Sequence, residues 1–72
     1  MKEIFETMVE TMVNNGWTKV YANYMTTTMP PRVKIRGYAT FEKNGKRVDF
    51  ESVTTSMKKF KKAMADFTTA NC

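Results

Sequence analysis

Asn44-Gly45 stands between two runs of alternating apolar and polar residues, and no other pair in the chain constrains the fold as tightly. Both residues tolerate the positive φ that a two-residue type I′ turn demands, and the twist of that turn matches the twist of flanking strands. A hairpin over residues 32–54 follows, with its register set by the turn. Lys43 then faces Lys46, Glu42 faces Arg47, Phe41 faces Val48, Thr40 faces Asp49, Ala39 faces Phe50 and Tyr38 faces Glu51. Because strand side chains alternate, Val33, Ile35, Ala39 and Phe41 share one face with Val48 and Phe50. Arg32, Lys34, Arg36, Tyr38 and Thr40 share the other. One face of the hairpin is apolar and the other is basic.

The flanking segments supply the rest of one domain. Ile4, Phe5, Met8, Val9, Met12 and Val13 recur at spacings of three and four, which predicts a helix from Lys2 to Asn14. Glu3 and Glu6 suit its positive end, and Asn14-Asn15-Gly16 offers a left-handed stop. From Trp17 the period changes to two, with Val20, Ala22 and Tyr24 alternating against Lys19, Tyr21 and Asn23, which predicts a first strand. Residues 26–31 contain Pro30 and Pro31, which cannot donate ladder hydrogen bonds, and are expected to form a loop. Gly37 marks either a bulge or a close helix contact. After the hairpin, Thr54, Thr55 and Ser56 are candidate caps for a second helix whose inner face is Met57, Phe60, Met64 and Phe67. That helix is expected to reach about Thr68, with residues 69–72 frayed. The order is α-β-β-β-α. Only one sheet face is apolar, so the fold class is α+β, a three-stranded antiparallel sheet with both helices packed on one face.

At 72 residues the chain makes a single domain, residues 1–72. A chain this short buries roughly 60% of the surface it exposes when unfolded, which is an incentive to pair with a second copy or dock on a partner. Cys72 is the one cysteine, so neither an intramolecular disulfide nor a thiolate metal cage can form, and no cofactor is implied. Acids among the first residues interrupt any signal-peptide core, and no apolar run approaches a membrane span. The expectation is a soluble, cytoplasmic protein with no membrane partner. Its net charge of +5 is unevenly spread. Residues 1–14 carry −2, residues 15–41 carry +4, residues 42–56 balance and residues 57–72 carry +3.

Such a distribution favours a polyanionic partner. With the strand phases above, the open sheet face presents Lys19, Arg32, Lys34, Arg36 and Arg47 around Tyr21 and Tyr38. Aromatic rings that stack on bases, with cations for phosphates, are the chemistry of single-strand recognition on sheets. The same residues also serve as ordinary solvent-facing strand positions, in which Arg36 and Arg47 pair with Glu42 and Glu51. On the second helix, Lys58, Lys59, Lys61 and Lys62 gather near the N-terminal end, where backbone N–H groups also attract anions. Cations there act against the helix dipole, so their presence leans toward phosphate or acidic-surface contact.

The element order, a proline-containing loop after the first strand, and Ser56-Met57-Lys58-Lys59-Phe60-Lys61-Lys62-Ala63-Met64-Ala65 resemble a double-stranded-RNA-binding domain. That family lays a Ser-Lys-Lys, Ala-rich helix across duplex phosphates. The resemblance implies phosphate-contacting roles for Lys58 and Lys61. It covers topology and about ten residues. Met57 stands where another lysine is expected, glycines do not precede the helix, the loop over residues 26–31 has no histidine, and Glu3, Glu6 and Glu10 repel phosphate from the first helix.

Catalysis finds little support. Histidine is absent and no glycine-rich loop precedes a helix. Asp49 and Glu51 share a strand face, yet a metal normally draws more oxygen ligands than two, and pairing with Arg36 and Arg47 accounts for them. The expectation is a small basic non-enzymatic binding protein that contacts nucleic acid, RNA before DNA, through the open sheet face and the basic second helix. The alternative is an inhibitor or adaptor that binds and blocks a host protein. A short chain with seven methionines is similar in style to small early proteins of bacteriophages. In that reading Trp17, Met25 and Met29 form an adaptable protein-contact surface, while Met8, Met12, Met57 and Met64 fill the core.

Overall fold

The apolar stripe of the first segment forms helix α1 (Lys2–Asn14). The computed structural model describes residues 2–29 and 32–72, with the side chains of Thr28, Met29 and Arg32 outside the description. Phe5, Met8 and Met12 are buried on its inner face, with Ile4 and Val9 beside them. Val13, expected in the same stripe, is 46% exposed because it lies round the helix from the line through those three. Gly16 adopts φ 94° and ends α1. Its N–H donates to Val13 O at 3.0 Å and the Trp17 N–H to Met12 O at 3.1 Å, the two bonds of a Schellman closure. The Lys43 ammonium donates to Asn15 O at 2.8 Å, which puts a cation at the negative end of the helix.

Three strands follow, β1 (Thr18–Met29), β2 (Arg32–Lys43) and β3 (Lys46–Thr54), in the order β1-β2-β3 and antiparallel throughout. Asn44 and Gly45 take φ 51° and 79°, and the six residue pairs expected from the turn are the pairs observed. β1 differs from expectation. Residues 26–29, read as loop, continue the strand and pair with residues 32–35, because β-branched threonines accept the extended conformation once β2 lies alongside. Pro30 and Pro31 lie outside the described residues. β3 ends opposite Ile35, so residues 27–29 and 32–34 run on as a two-stranded ribbon. Val33, expected in the core, sits on that ribbon beyond the third strand and is 47% exposed.

Helix α2 (Met57–Asn71) starts at Ser56, whose hydroxyl oxygen accepts the Lys59 N–H at 3.3 Å. It runs on through residues 69–71, where the sequence alone predicts fraying. A tertiary bond holds that last turn. The Trp17 indole N–H donates to Asn71 O at 3.1 Å, and the Asn71 amide donates to Phe67 O at 2.8 Å.

Both helices cover one face of the sheet, and the core between the layers is largely aromatic. Ring contacts run from Phe5 to Tyr24 (5.6 Å between centroids), to Phe60 (5.8 Å), to Phe50 (6.0 Å), to Phe67 (5.3 Å) and to Phe41 (6.0 Å), so one chain of rings ties all three strands to both helices. Gly37 makes this possible. A Cβ there would stand 2.7 Å from Phe60 Cζ and 3.2 Å from Phe5 Cε1, so the glycine marks the close helix approach and not a bulge. The bulge of the sheet lies between Lys19 and Tyr21.

Candidate nucleic-acid interface

The sheet face away from the helices is organised in cross-strand rows that follow from the register. Thr27 lies beside Lys34; Met25, Arg36 and Val53 form the next row; then come Asn23, Tyr38 and Glu51; then Tyr21, Thr40 and Asp49; then Thr18, Glu42 and Arg47. Of the residues assigned to this face from sequence, Tyr21, Lys34, Arg36, Tyr38 and Arg47 are brought together on it. The side chain of Arg32 lies outside the described residues.

Lys19 is a correction. It pairs with the fully buried Phe41 and therefore faces the helix side, where it lines a cleft with Glu6 and Glu10 of α1. The cause is the bulge, which adds one residue to β1 and reverses the phase on its N-terminal side. Val20, the inserted residue, is 49% exposed instead of in the core. A sequence signal for this exists. Trp17 and Ala22 are both inward and lie an odd number of residues apart, which strict alternation cannot satisfy.

The face is not uniformly basic. Its described side chains include Lys34, Arg36 and Arg47 against Glu42, Asp49 and Glu51. These are segregated. Arg47 Nη2 lies 3.6 Å from Glu42 Oε2, as the register implied, and Asp49 Oδ1 accepts the Thr40 hydroxyl at 2.8 Å. Lys34 and Arg36 lie at the ribbon end, and residues 11–41 contain no acid. The Arg36 guanidinium sits 4.7 Å over the Tyr38 ring, so one tyrosine already carries a stacked cation. Tyr21 is 56% exposed, with its ring free for another partner. Together with Tyr38, Thr40, Asp49 and Glu51 it borders a shallow depression.

The lysines of α2 form a second basic region. Lys58, Lys59, Lys61 and Lys62 are all exposed, and Lys62 lies 3.6 Å from Asp66. Spacing from the buried Phe60 and Met64 sets Lys58 and Lys62 on the outer side of the helix layer. Lys61 borders the groove between the helices. The open sheet face and these lysines therefore occupy opposite sides of a two-layer molecule and do not merge into one surface.

The protein-contact trio separates as well. Trp17 is 6% exposed and belongs to the core, where Lys43 Nζ stands 5.6 Å over its ring. Met25 is 46% exposed, and the Met29 side chain lies outside the described residues. Val53, 45% exposed across Arg36 from Met25, is an addition that only the three-strand register reveals. Among the described residues no cluster of three or more metal-ligating side chains occurs, and no helix is long and apolar enough to cross a membrane.

Fold and surface together define a class: a two-layer α+β domain with two helices behind an open, antiparallel sheet bearing aromatic and cationic side chains. Comparison with protein-family models, curated proteins and solved structures finds no match to this chain.

Proposed function

We propose that this domain is a small non-enzymatic nucleic-acid-binding module that takes a single strand, RNA before DNA, on its open sheet face. The carrying observation is the arrangement of Tyr21 and the Arg36–Tyr38 stack next to an acid-free cationic end. Tyr21 offers a bare ring for one base, and the guanidinium of Arg36 offers a second flat surface. Lys34 and Arg36 receive phosphates. The carboxylates of Asp49 and Glu51 repel phosphate but accept hydrogen bonds from a ribose 2′-hydroxyl, which favours RNA. The α2 lysines, with Lys58 and Lys61 in the roles implied by the double-stranded-RNA-binding resemblance, act as a separate phosphate-attracting region on the opposite side.

Fluorescence anisotropy with a mixed-sequence single-stranded RNA tests this reading. Affinity should fall with salt at a log–log slope of about −0.7 per phosphate contacted. Arg36→Ala should flatten that slope, and Tyr21→Ala should cost about 1–3 kcal/mol of binding with the slope unchanged. Absence of binding at low salt refutes it.

A second reading rests on the row Met25–Arg36–Val53. An arginine between two exposed apolar side chains has the composition of a protein-binding hot spot. A host protein blocked by this face should be captured stoichiometrically after nuclease treatment, and Met25→Asp should abolish that capture.

A further inference from the structure

The two edges of the sheet are unlike. β3 carries Lys46, Arg47, Asp49 and Glu51 within nine residues, the kind of charge that blunts an exposed edge. β1 is the other edge, twelve residues long, and its residues 20–29 include neither a charge nor a proline. Past the bulge its pairing with β2 is regular, and among the described residues no strand pairs with its outer side. Behind that edge α1 touches β1 through Phe5 and Tyr24, whose rings stand 5.6 Å apart, and leaves a gap beside them. A cleft of about 410 Å³ opens there, bordered by Lys2, Glu6, Val9 and Glu10 from the helix and by Lys19 and Tyr24 from the strand. The Tyr24 hydroxyl oxygen is buried with no hydrogen-bond partner among the described residues, a state that costs a polar group its hydration without replacement.

We propose that the β1 edge is the seam of a homodimer. A second copy, turned about a two-fold axis normal to the sheet, pairs its β1 antiparallel with this one. The product is a six-stranded sheet in which the two α1 helices meet over the seam and close both clefts. A second copy is the favoured occupant because the cleft is complementary to itself. It holds acids and bases, and with Lys2 4.0 Å from Glu6 on the same helix, Lys19 and Glu10 are the opposite charges left for a rotated copy to pair. The uncharged residues 20–29 place no like charges on the paired strands of two chains of net +5. An axis normal to the sheet keeps the helix layers on one side and joins the two open faces on the other. Burial that a 72-residue core does not supply is gained at the join.

Light scattering on the full chain, without nucleic acid, decides the matter. At up to about 100 μM, above the micromolar affinities at the weak end of standard interfaces, it should read twice the 8.3 kDa of one chain. The double variant Asn23→Lys with Met25→Lys lines the seam with ammonium groups in any register. It should return the mass to that of one chain and keep the folded circular-dichroism spectrum, with a melt that no longer rises with protein concentration. As a second readout, amide exchange over residues 22–27 of the wild type should slow as concentration rises. A wild type that keeps the single-chain mass overturns the proposal and leaves the edge to an extended segment of another protein. A dimer that the double variant leaves intact overturns it too. If the double variant does not fold, the exchange data decide: protection that is independent of concentration refutes the seam.

Discussion

Tyr21 and Tyr38 are two tyrosines of one face whose rings stand in different states. Tyr38 is half-buried and already holds Arg36 at 4.7 Å, whereas Tyr21 has more than half its surface in solvent. The free ring is therefore where stacking on a base should register most strongly. Gly37, next to Tyr38 in β2 and facing the opposite side of the sheet, carries the heaviest steric demand of the three glycines. Its missing Cβ is the space into which Phe60 and Phe5 converge, and both rings are locked in a continuous aromatic cluster. Gly37→Ala should destabilise the domain by about 1–3 kcal/mol, the usual cost of overpacking a close-packed core. Urea denaturation monitored by circular dichroism reads this. A loss of a few tenths would mean that the rings can shift, which their contacts argue against.

Local signals explain which elements were legible in the sequence. The hairpin about Asn44-Gly45 was readable to the residue because its turn needs only those two residues to set the register, and α1 was readable because both its stripe and its stop are local. β1 was not. Its length depends on β2 lying beside residues 26–29, and its phase depends on a bulge that follows from burying Trp17 together with Ala22. That one inserted residue moved Lys19 off the candidate face while Tyr21, Lys34, Arg36, Tyr38 and Arg47 stayed on it. The last turn of α2 shows the same dependence on distant partners, since Trp17 stands 54 residues from the carbonyl it holds. Deleting residues 69–72 removes that acceptor and leaves a buried indole N–H unpaired. The expected outcome is a loss of about 1–3 kcal/mol in stability and a red-shifted Trp17 emission as water reaches the ring. If stability and emission both stay put, the contact contributes nothing.

At the scale of the whole molecule, charge and layering set what one ligand can touch. The sheet's open face and the outer side of α2 are separated by the full thickness of the two-layer body, whose short extents are 19 and 17 Å. A single strand of a few nucleotides that lies across Tyr21 and Arg36 does not reach Lys58 or Lys62, so the α2 lysines act on it only through the long-range field. Direct contacts made by one ligand couple energetically, whereas sites that share no partner add. This yields a double-mutant cycle. Arg36→Ala alone should weaken binding of a short RNA and flatten its salt dependence. Lys58→Gln with Lys62→Gln should weaken it modestly at low salt and negligibly at high salt, where exposed charges are screened. Combined, the two sets should add to within about 0.5 kcal/mol. Coupling beyond that for a short strand would mean that the RNA wraps the edge of the molecule and meets both layers. Such wrapping would make the helix layer part of the binding surface, with the sheet face no longer sufficient by itself.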